Sequence, residues 1–310
     1  MRVMHKDILV QLDHQGILAI RGEDAAKFLQ GYVTCDVDAV TPAVWQMGAF
    51  CNLQGRMLSS FLIINSGDGY LLKMDRELVT TTHDFLRKYL PFFNAETVDV
   101  SDDYRLIGIA GPGAKGVIER LFPRCPSVEQ PHFSHDGTQL MLLHPDPDRF
   151  ELWLSGEGES ELMQALPDQF VTGDADPWKW MDIQQGIGWV VAATSEKFVP
   201  QMMNYQLIDA IDFDKGCYLG QEIVARMQYR GELKRQMYHA LVDGGQRPIS
   251  GAPVNTQAGD AVGTVISAVA VKKGHELLAV LQNGDDSQPF FLDSGEKITL
   301  LPLPYTINNS

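Results

Sequence analysis

The residues best suited to chemistry form one run, Lys215-Gly216-Cys217-Tyr218-Leu219-Gly220-Gln221-Glu222. Its single cysteine follows a lysine by two positions and stands between glycines, which permit tight backbone bends and leave a nearby sulfur uncovered. A cation and a helix N-terminus both favour the thiolate, the form of cysteine that reacts with electrophiles and metals. The run therefore predicts a functional thiol at Cys217, supported by Lys215 and Tyr218. The alternative is a buried, inert cysteine in an ordinary turn.

A helix is predicted directly after this cysteine. Apolar residues recur at helical spacing, at Leu219, Ile223, Val224 and Met227. Glu222, Arg226 and Arg230 align on another face, and Gly231 is a stop signal. Residues 215–235, here named the cationic strip, hold five Lys or Arg and two Glu in a chain of net charge −15. The strip predicts an anionic ligand, unless it is a solvated face in which Glu222 pairs with Arg226.

Length and composition bound the class of protein. The chain has 310 residues, of which 45% are hydrophobic and 21% charged, enough for two or three domains. Its negative charge repels phosphate, so we expect neither strong direct binding to nucleic acid nor binding to a membrane. The polar N-terminal residues argue against a signal peptide. The four scattered cysteines include no Cys-x-x-Cys pair, which predicts a cytoplasmic protein without a disulfide framework or a metal site.

Strands and helices alternate over the first two thirds of the chain, which predicts an α+β fold. The predicted strands are 17–21, 45–51, 57–64, 70–74, 105–110, 140–144 and 149–154, and the predicted helices are 23–32, 75–90, one ending at 122, 160–166 and 177–185. The β-α-β-β-α order in the middle of the chain is most of a ferredoxin-like unit. His132 and His135 are expected in a loop, with no acidic or cysteine partner at metal-ligand spacing.

The last part of the chain changes to short β-rich segments separated by Gly, Asp and Asn turns. The predicted strands are 236–242, 262–271, 276–281 and 298–301. They predict a separate C-terminal domain of roughly 70 residues that forms a small antiparallel barrel or sandwich.

Several separated segments match one protein family. The run from Lys215 to Glu222 resembles the K-G-C-Y-x-G-Q-E signature of the YgfZ family, folate-binding relatives of the glycine-cleavage aminomethyltransferase. Further matches are Gly22-Glu23-Asp24-Ala25, Phe28-Leu29-Gln30-Gly31, Thr34, Asp36-Val37, Phe198-Val199-Pro200-Gln201, Asn204 and Leu303-Pro304-Tyr305. The resemblance implies a three-domain ring of the aminomethyltransferase type. Its parts would be a folate-binding α+β region (1–100 with 175–232), a ferredoxin-like α+β region (101–174) and a C-terminal antiparallel β-barrel (233–310).

The resemblance also implies a function. Tetrahydrofolate or a derivative would occupy the central opening, and the protein would support iron–sulfur proteins such as tRNA methylthiotransferases. The alternative is a folate-dependent one-carbon (aminomethyl) transferase. In the related transferases a turn like that at residues 55–58 leads into paired aspartates, whereas Ser59 and Ser60 stand here. Because a hydroxyl does not act as a carboxylate does near neutral pH, a standard aminomethyl transfer is not expected.

Cofactor-binding residues are assigned by the same resemblance. Trp178 stands where the family places a folate-associated aromatic, although it could equally be a core anchor of its helix. Gln184 stands where a glutamate commonly meets the pterin ring, and an amide offers one acceptor oxygen and no charge. Arg226, Arg230 or Lys234 could meet the anionic tail of a folate. Gln221 and Glu222 complete the predicted cofactor-binding set.

Overall fold

The computed structural model describes residues 6–156, 158–167, 170–230, 233–283 and 289–307. It divides into two compact units, the first formed by 1–30, 36–47 and 61–175 and the second by 31–35, 48–60 and 176–310. Among the helices in the described ranges, none has both the length and the apolar character needed to span a membrane.

The chain forms the following elements, numbered in chain order. The strands are β1 (Ile8–Gln11), β2 (Gln15–Arg21), β3 (Gln46–Cys51), β4 (Met57–Asn65), β5 (Gly69–Asp75), β6 (Glu96–Asp99), β7 (Tyr104–Ala110), β8 (His132–His135), β9 (Thr138–Pro145), β10 (Asp148–Ser155), β11 (Val171–Gly173), β12 (Arg235–Asp243), β13 (Pro253–Asn255), β14 (Ala261–Val271), β15 (Gly274–Gln282), β16 (Phe290–Leu292) and β17 (Lys297–Leu301). The helices are α1 (Ala25–Gln30), α2 (Arg76–Leu86), α3 (Ala114–Leu121), α4 (Gly158–Ala165), α5 (Asp176–Gln184) and α6 (Gln221–Arg230).

A six-stranded sheet in the first unit has the order β11-β1-β7-β10-β9-β8. The long β7/β10 pair is antiparallel, from Arg149 opposite Ala110 to Ser155 opposite Tyr104. Alternate residues of these strands bury apolar side chains with those of α3 and α4, because successive strand residues point to opposite faces. The loop predicted for His132 and His135 is wrong: both lie in β8, which pairs with β9. The two-residue turn Asp136-Gly137, with φ values of +46° and +79°, folds this segment back onto β9 as a hairpin.

A second sheet has the order β3-β4-β5-β2-β6. Helix α2 buries Leu78, Val79, Thr82 and Leu86 on one face and packs against β2 and β6. Asp75 caps its N-terminus by accepting a hydrogen bond from the backbone of Glu77. The helix ends at Leu86, earlier than predicted, and a short 3-10 turn containing Pro91 follows. Because proline lacks a backbone N–H, Pro91 sets the latest point at which the helix can end, but it does not prevent an earlier end.

A buried ion pair links strands β5 and β10, which both belong to the first unit. Lys73 Nζ on β5 lies 2.7 Å from Glu151 Oε2 on β10, and both side chains are almost fully buried. The indole N–H of Trp153 donates to the other oxygen of the same carboxylate at 2.7 Å. Each buried charge is therefore compensated by the other, which is necessary because an unpaired charge removed from water is strongly destabilising.

The second unit contains a closed barrel in the order β12-β15-β14-β13-β16-β17. The predicted C-terminal barrel is therefore confirmed, and β13 and β16 are short strands that the sequence did not indicate. β12 pairs along its length with β15, from Arg235 opposite Gln282 to Asp243 opposite Gly274, and also with β17. The interior is apolar, with Ala240, Val254, Val265, Leu277, Leu281 and Ile298 all buried. Closure leaves the sheet no free edge.

Candidate functional site

The segment from Lys215 to Gly220, here named the motif loop, is tied to residues 31–35 at both ends. Lys215 Nζ donates to the carbonyl oxygens of Val33 at 2.7 Å and Cys35 at 2.6 Å. At the other end, the backbone N–H of Leu219 donates to Gly31 O at 3.0 Å. These contacts hold the intervening residues in one conformation.

The position of Lys215 explains its place in the sequence motif. Its ammonium group binds the two carbonyls, and it also lies 5.3 Å from the centre of the Tyr218 ring, within cation–π range. Its backbone N–H donates to Asp212 Oδ1 at 2.9 Å. Lys215 therefore orders the motif loop, whereas its predicted support of the thiolate stays a prediction.

Adjacent residues of the motif loop have opposite environments. Cys217 is exposed, which argues against the alternative of a buried cysteine. Tyr218 is 6% exposed, and its hydroxyl has no hydrogen-bond partner among the described residues. Burial raises the pKa of Tyr218, and the nearby thiols of Cys51 and Cys35 raise it further. Tyr218 is thus a protonated anchor that leaves the neighbouring sulfur in solvent.

Tight packing fixes the end of the motif loop. Gly220 has a φ of +83°, and a Cβ added there would lie 2.4 Å from Asn52 O. By contrast, a Cβ added at Gly216 would meet nothing within 4 Å. Only the glycine at 220 is required by its surroundings, while the space beside Gly216 keeps one approach to the loop open.

Helix α6 begins after the cysteine rather than at it. Gln221 is its first residue; its N–H donates to Tyr218 O at 3.1 Å, and its side-chain oxygen accepts from Tyr218 N at 3.3 Å. The predicted helix is present, but Cys217 lies four residues before its start. Because the field of a helix end falls off within its first turn, that field acts on residues closer to Gln221 than Cys217 is.

The cationic strip is only partly described. Glu222 and Arg226 are both exposed, and within the described ranges no ion pair joins them. Lys234 and Arg235 are also exposed. The side chain of Arg230 and the predicted helix stop at 231 lie outside the described residues. The alternative in which Glu222 pairs with Arg226 is therefore not present in the described part of this structure.

Trp178 is a core residue of the second unit in this structure. It lies on α5, which packs against β14, and is 2% exposed. An indole with so little free surface matches the core-anchor alternative. Its predicted contact with folate stays a prediction.

A polar cluster surrounds the carboxylate of Glu276 on β15. Trp180 Nε1 donates to Glu276 Oε2 at 3.0 Å, Gln184 Nε2 donates to the same oxygen, and His239 Nε2 lies 3.4 Å from it. The side chains of Glu276 and His239 are 12% and 5% exposed. These four residues, here named the Glu276 cluster, place Gln184 against an acidic group. Sequence reasoning missed Glu276 and His239; the only signal was a carboxylate at the start of the predicted strand 276–281, whose other residues are apolar.

Two further motif segments meet just after α5. Tyr305 donates its hydroxyl hydrogen to Gly186 O at 2.7 Å, and Asn204 Nδ2 donates to Met237 O at 2.9 Å. Asn204 Nδ2 also lies 3.3 Å from the Tyr305 hydroxyl. The φ of Gly186 is +63°, and an added Cβ would lie 2.6 Å from that hydroxyl. These contacts fix the turn that follows Gln184.

Ser59 and Ser60, the positions at which the sequence resemblance predicts aspartates in related transferases, are both fully buried on β4. Ser60 Oγ accepts a hydrogen bond from Val190 N at 2.8 Å. A carboxylate in either position would have to be desolvated, whereas a hydroxyl satisfies such a site with one or two hydrogen bonds. In the described part of the chain, no group of three or more His, Cys, Asp or Glu is arranged to hold a metal ion.

Comparisons with known proteins cover nearly the whole chain. Residues 1–140 match the family described as the GCVT N-terminal domain. The chain is 32% identical to the tRNA-modifying protein YgfZ of Pectobacterium carotovorum subsp. carotovorum (strain PC1), over 97% of this chain and 92% of that protein. It is 31% identical to the protein of the same name from Yersinia pestis (strain Pestoides F), over 96% and 92%.

The fold of this chain is also found in a solved structure. It is the glycine cleavage system aminomethyltransferase T from Bartonella henselae, with a TM-score of 0.78 and 13% sequence identity. The similarity covers 96% of this chain and 86% of that one. At this identity it establishes an aminomethyltransferase-like fold and no activity.

Proposed function

The chain belongs to the family of the tRNA-modifying protein YgfZ, and from this premise we propose that it is a cytoplasmic, folate-binding accessory protein that supports iron–sulfur enzymes of tRNA modification. The observation that carries the proposal is the exposed thiol of Cys217 on a motif loop held by Lys215 and Tyr218. These two anchoring residues hold the loop in place while the thiol itself stays accessible to a partner. The net charge of −15 places direct tRNA binding outside the proposal.

Two features of the described residues support the binding of a folate. Gln184 has its amide N–H₂ on Glu276, so its carbonyl oxygen can accept a hydrogen bond from a pterin. Arg226 and Lys234 are exposed cations that could meet the carboxylates of a folate tail. Trp178 would contribute by packing α5 rather than by offering a stacking face. When bound, tetrahydrofolate supplies the capacity to carry a one-carbon group.

Cys217 can bind an iron–sulfur cluster only together with ligands from a partner protein. Iron–sulfur clusters usually take about four protein ligands, and Cys217 supplies one. The partner protein must therefore provide the rest, with the open space beside Gly216 as the approach. Gln221 holds the start of helix α6 through its contacts with Tyr218, and Glu222 follows it as an exposed carboxylate.

The second candidate is a folate-dependent one-carbon transferase. Its support is the fold shared with an aminomethyltransferase. Against it stand Ser59 and Ser60, which are buried hydroxyls at the positions of the expected carboxylates. Release of methylene-tetrahydrofolate from an aminomethyl donor at an enzyme-like rate, about 1 s⁻¹ or faster, would make this the better assignment.

The thiol is tested by complementing a strain that lacks the protein. Cys217→Ala should lose the methylthiolated nucleosides of tRNA, measured by mass spectrometry, while its thermal unfolding matches that of the wild type. Cys125→Ala, which removes a half-buried cysteine, is the matched control and should complement fully. Normal methylthiolation with Cys217→Ala would remove cysteine chemistry from the proposal.

The folate is tested separately by calorimetry with 5-formyltetrahydrofolate and folic acid. We expect binding of the reduced form by the wild type and loss of at least tenfold in affinity with Gln184→Ala, because the deleted amide is the proposed pterin contact. Absence of both heat and thermal shift with either compound would remove folate from the proposal and leave the role of the thiol standing.

A further inference from the structure

We infer that Glu276 is a positioning residue that turns the carbonyl oxygen of Gln184 toward the bound ligand, so that this amide meets the ligand as a hydrogen-bond acceptor. The inference rests on the proposed function in one respect, that Gln184 meets the folate. It adds a residue from the barrel and states which edge of the ligand the site can recognise.

The first step is the direction of the amide. A glutamine side chain carries a donor end and an acceptor end, and it can rotate to present either one. A carboxylate accepts hydrogen bonds and does not donate them. Since Gln184 Nε2 donates to Glu276 Oε2, the carbonyl oxygen of that amide is turned away from Glu276. The carboxylate therefore removes the choice of orientation.

The second step is the fixed position of the carboxylate itself. Trp180 Nε1, 3.0 Å away, converges on the same oxygen, and His239 Nε2 lies 3.4 Å from it. Trp180 and Gln184 are four residues apart on α5 and so lie on one face of that helix. The backbone of Glu276 is fixed in the central barrel strand β15, opposite Leu241 of β12 and Val269 of β14. With 12% of its side chain exposed, Glu276 has little freedom to turn into solvent.

The third step concerns the ligand. A carbonyl oxygen held toward the ligand selects a ligand edge that carries N–H donors, and the amino-pyrimidinone edge of a pterin has two, on the 2-amino group and on N3. An analogue without the amino group would leave the Gln184 oxygen without that donor, and sites of this kind reject such analogues. An unrestrained glutamine would discriminate less, because its N–H₂ could turn toward an acceptor.

The direct test is Glu276→Gln, with Asp243→Asn on the exposed end of β12 as the matched control. Calorimetry with 5-formyltetrahydrofolate should show a loss of roughly 3- to 10-fold in affinity for the first variant and none for the control. Discrimination against the 2-desamino analogue should fall with it. A purely structural role would weaken both ligands equally and leave their ratio unchanged, and that result would overturn the inference.

The rescue test exchanges the two groups. Gln184→Glu alone brings two carboxylates together and should weaken binding by at least tenfold, because like charges at this distance repel. The double variant Gln184→Glu/Glu276→Gln restores one carboxylate and one amide and should bind within about threefold of the wild type. Failure of this rescue, in a double variant whose thermal unfolding matches the wild type, would contradict the inference.

The outcomes separate the two proposals. A wild-type protein that does not bind 5-formyltetrahydrofolate overturns the folate part of the proposed function, and the positioning role falls with it. A wild type that binds, together with a Glu276→Gln variant of unchanged affinity and unchanged ligand ratio, overturns the positioning role alone.

Discussion

The ammonium group of Lys215 lies 2.6 Å from the carbonyl oxygen of Cys35, and the two residues are 180 positions apart in the sequence. A second carbonyl, that of Val33, lies 2.7 Å from the same nitrogen. The lysine of the motif is thus bound by the backbone of a distant segment. Its charge orders the motif loop, in which Cys217, two residues further on, is exposed to solvent.

Lys215→Met should destabilise the protein by about 1.5–3 kcal/mol, because two hydrogen bonds from a charged donor are lost and carbonyls are left unsatisfied. Urea unfolding measures the change in free energy. Lys234→Met, at an exposed lysine of the cationic strip, should change the free energy of unfolding by less than about 0.5 kcal/mol. Equal effects of the two substitutions would show that the contacts of Lys215 with residues 33 and 35 contribute nothing.

The two glycines of the motif loop should respond differently to alanine. Gly220→Ala should cost about 1–3 kcal/mol or more, because its φ is +83° and the new Cβ would lie 2.4 Å from Asn52 O. Gly216→Ala should be close to neutral, since its Cβ would enter open space. Thermal unfolding compares the two variants. A Gly220→Ala protein as stable as Gly216→Ala would mean that the loop lacks the described packing.

Alkylation should distinguish the cysteines by exposure. We expect iodoacetamide to modify Cys217 first in the native protein, because it is exposed, while Cys35 and Cys51 are buried and react only after unfolding. Peptide mass spectrometry of the native and urea-unfolded protein identifies the modified residues. Modification of Cys51 at the same rate as Cys217 in native buffer would contradict the arrangement of the motif loop.

Stability should fall in alkaline solution, in part because of Cys51. Burial raises the pKa of this thiol from 9.0 to about 12. Between these values the unfolded chain releases a proton that the folded protein keeps, so this contribution to stability is complete below pH 9 and is lost as the pH rises toward 12. Between these pH values, the ionisation of Cys51 should lower the free energy of unfolding by about 1.4 kcal/mol per pH unit.

Urea unfolding at several pH values above 9 measures this slope, and Cys51→Ala should make it shallower by about one proton. The control is Val254→Ala, which removes part of a buried barrel side chain and should lower stability without changing the slope. An unchanged slope in Cys51→Ala would show that the thiol ionises as readily in the folded protein as in the unfolded chain.

Local patterns predicted most of the elements. The barrel strands β12, β14, β15 and β17 follow from alternation and turn residues, and α6 follows from its apolar spacing. The strand β8 was missed because its neighbouring proline and glycine were interpreted as a loop, although Asp136-Gly137 is a hairpin turn that pairs β8 with β9. Four residues are too few to show a period, so the strand is recognised from the turn and from the strand that follows it.

The sequence by itself determined which residues form the motif and which family the chain resembles, because these follow from residue identity at fixed spacing. Only the tertiary structure decided what each residue contacts. It gave Lys215 to the carbonyl of Cys35, buried Trp178, and placed Gln184 against Glu276, 92 positions away. The physical reason is that propensity and periodicity act over a few residues, whereas hydrogen-bond partners and burial depend on the path by which distant segments pack together.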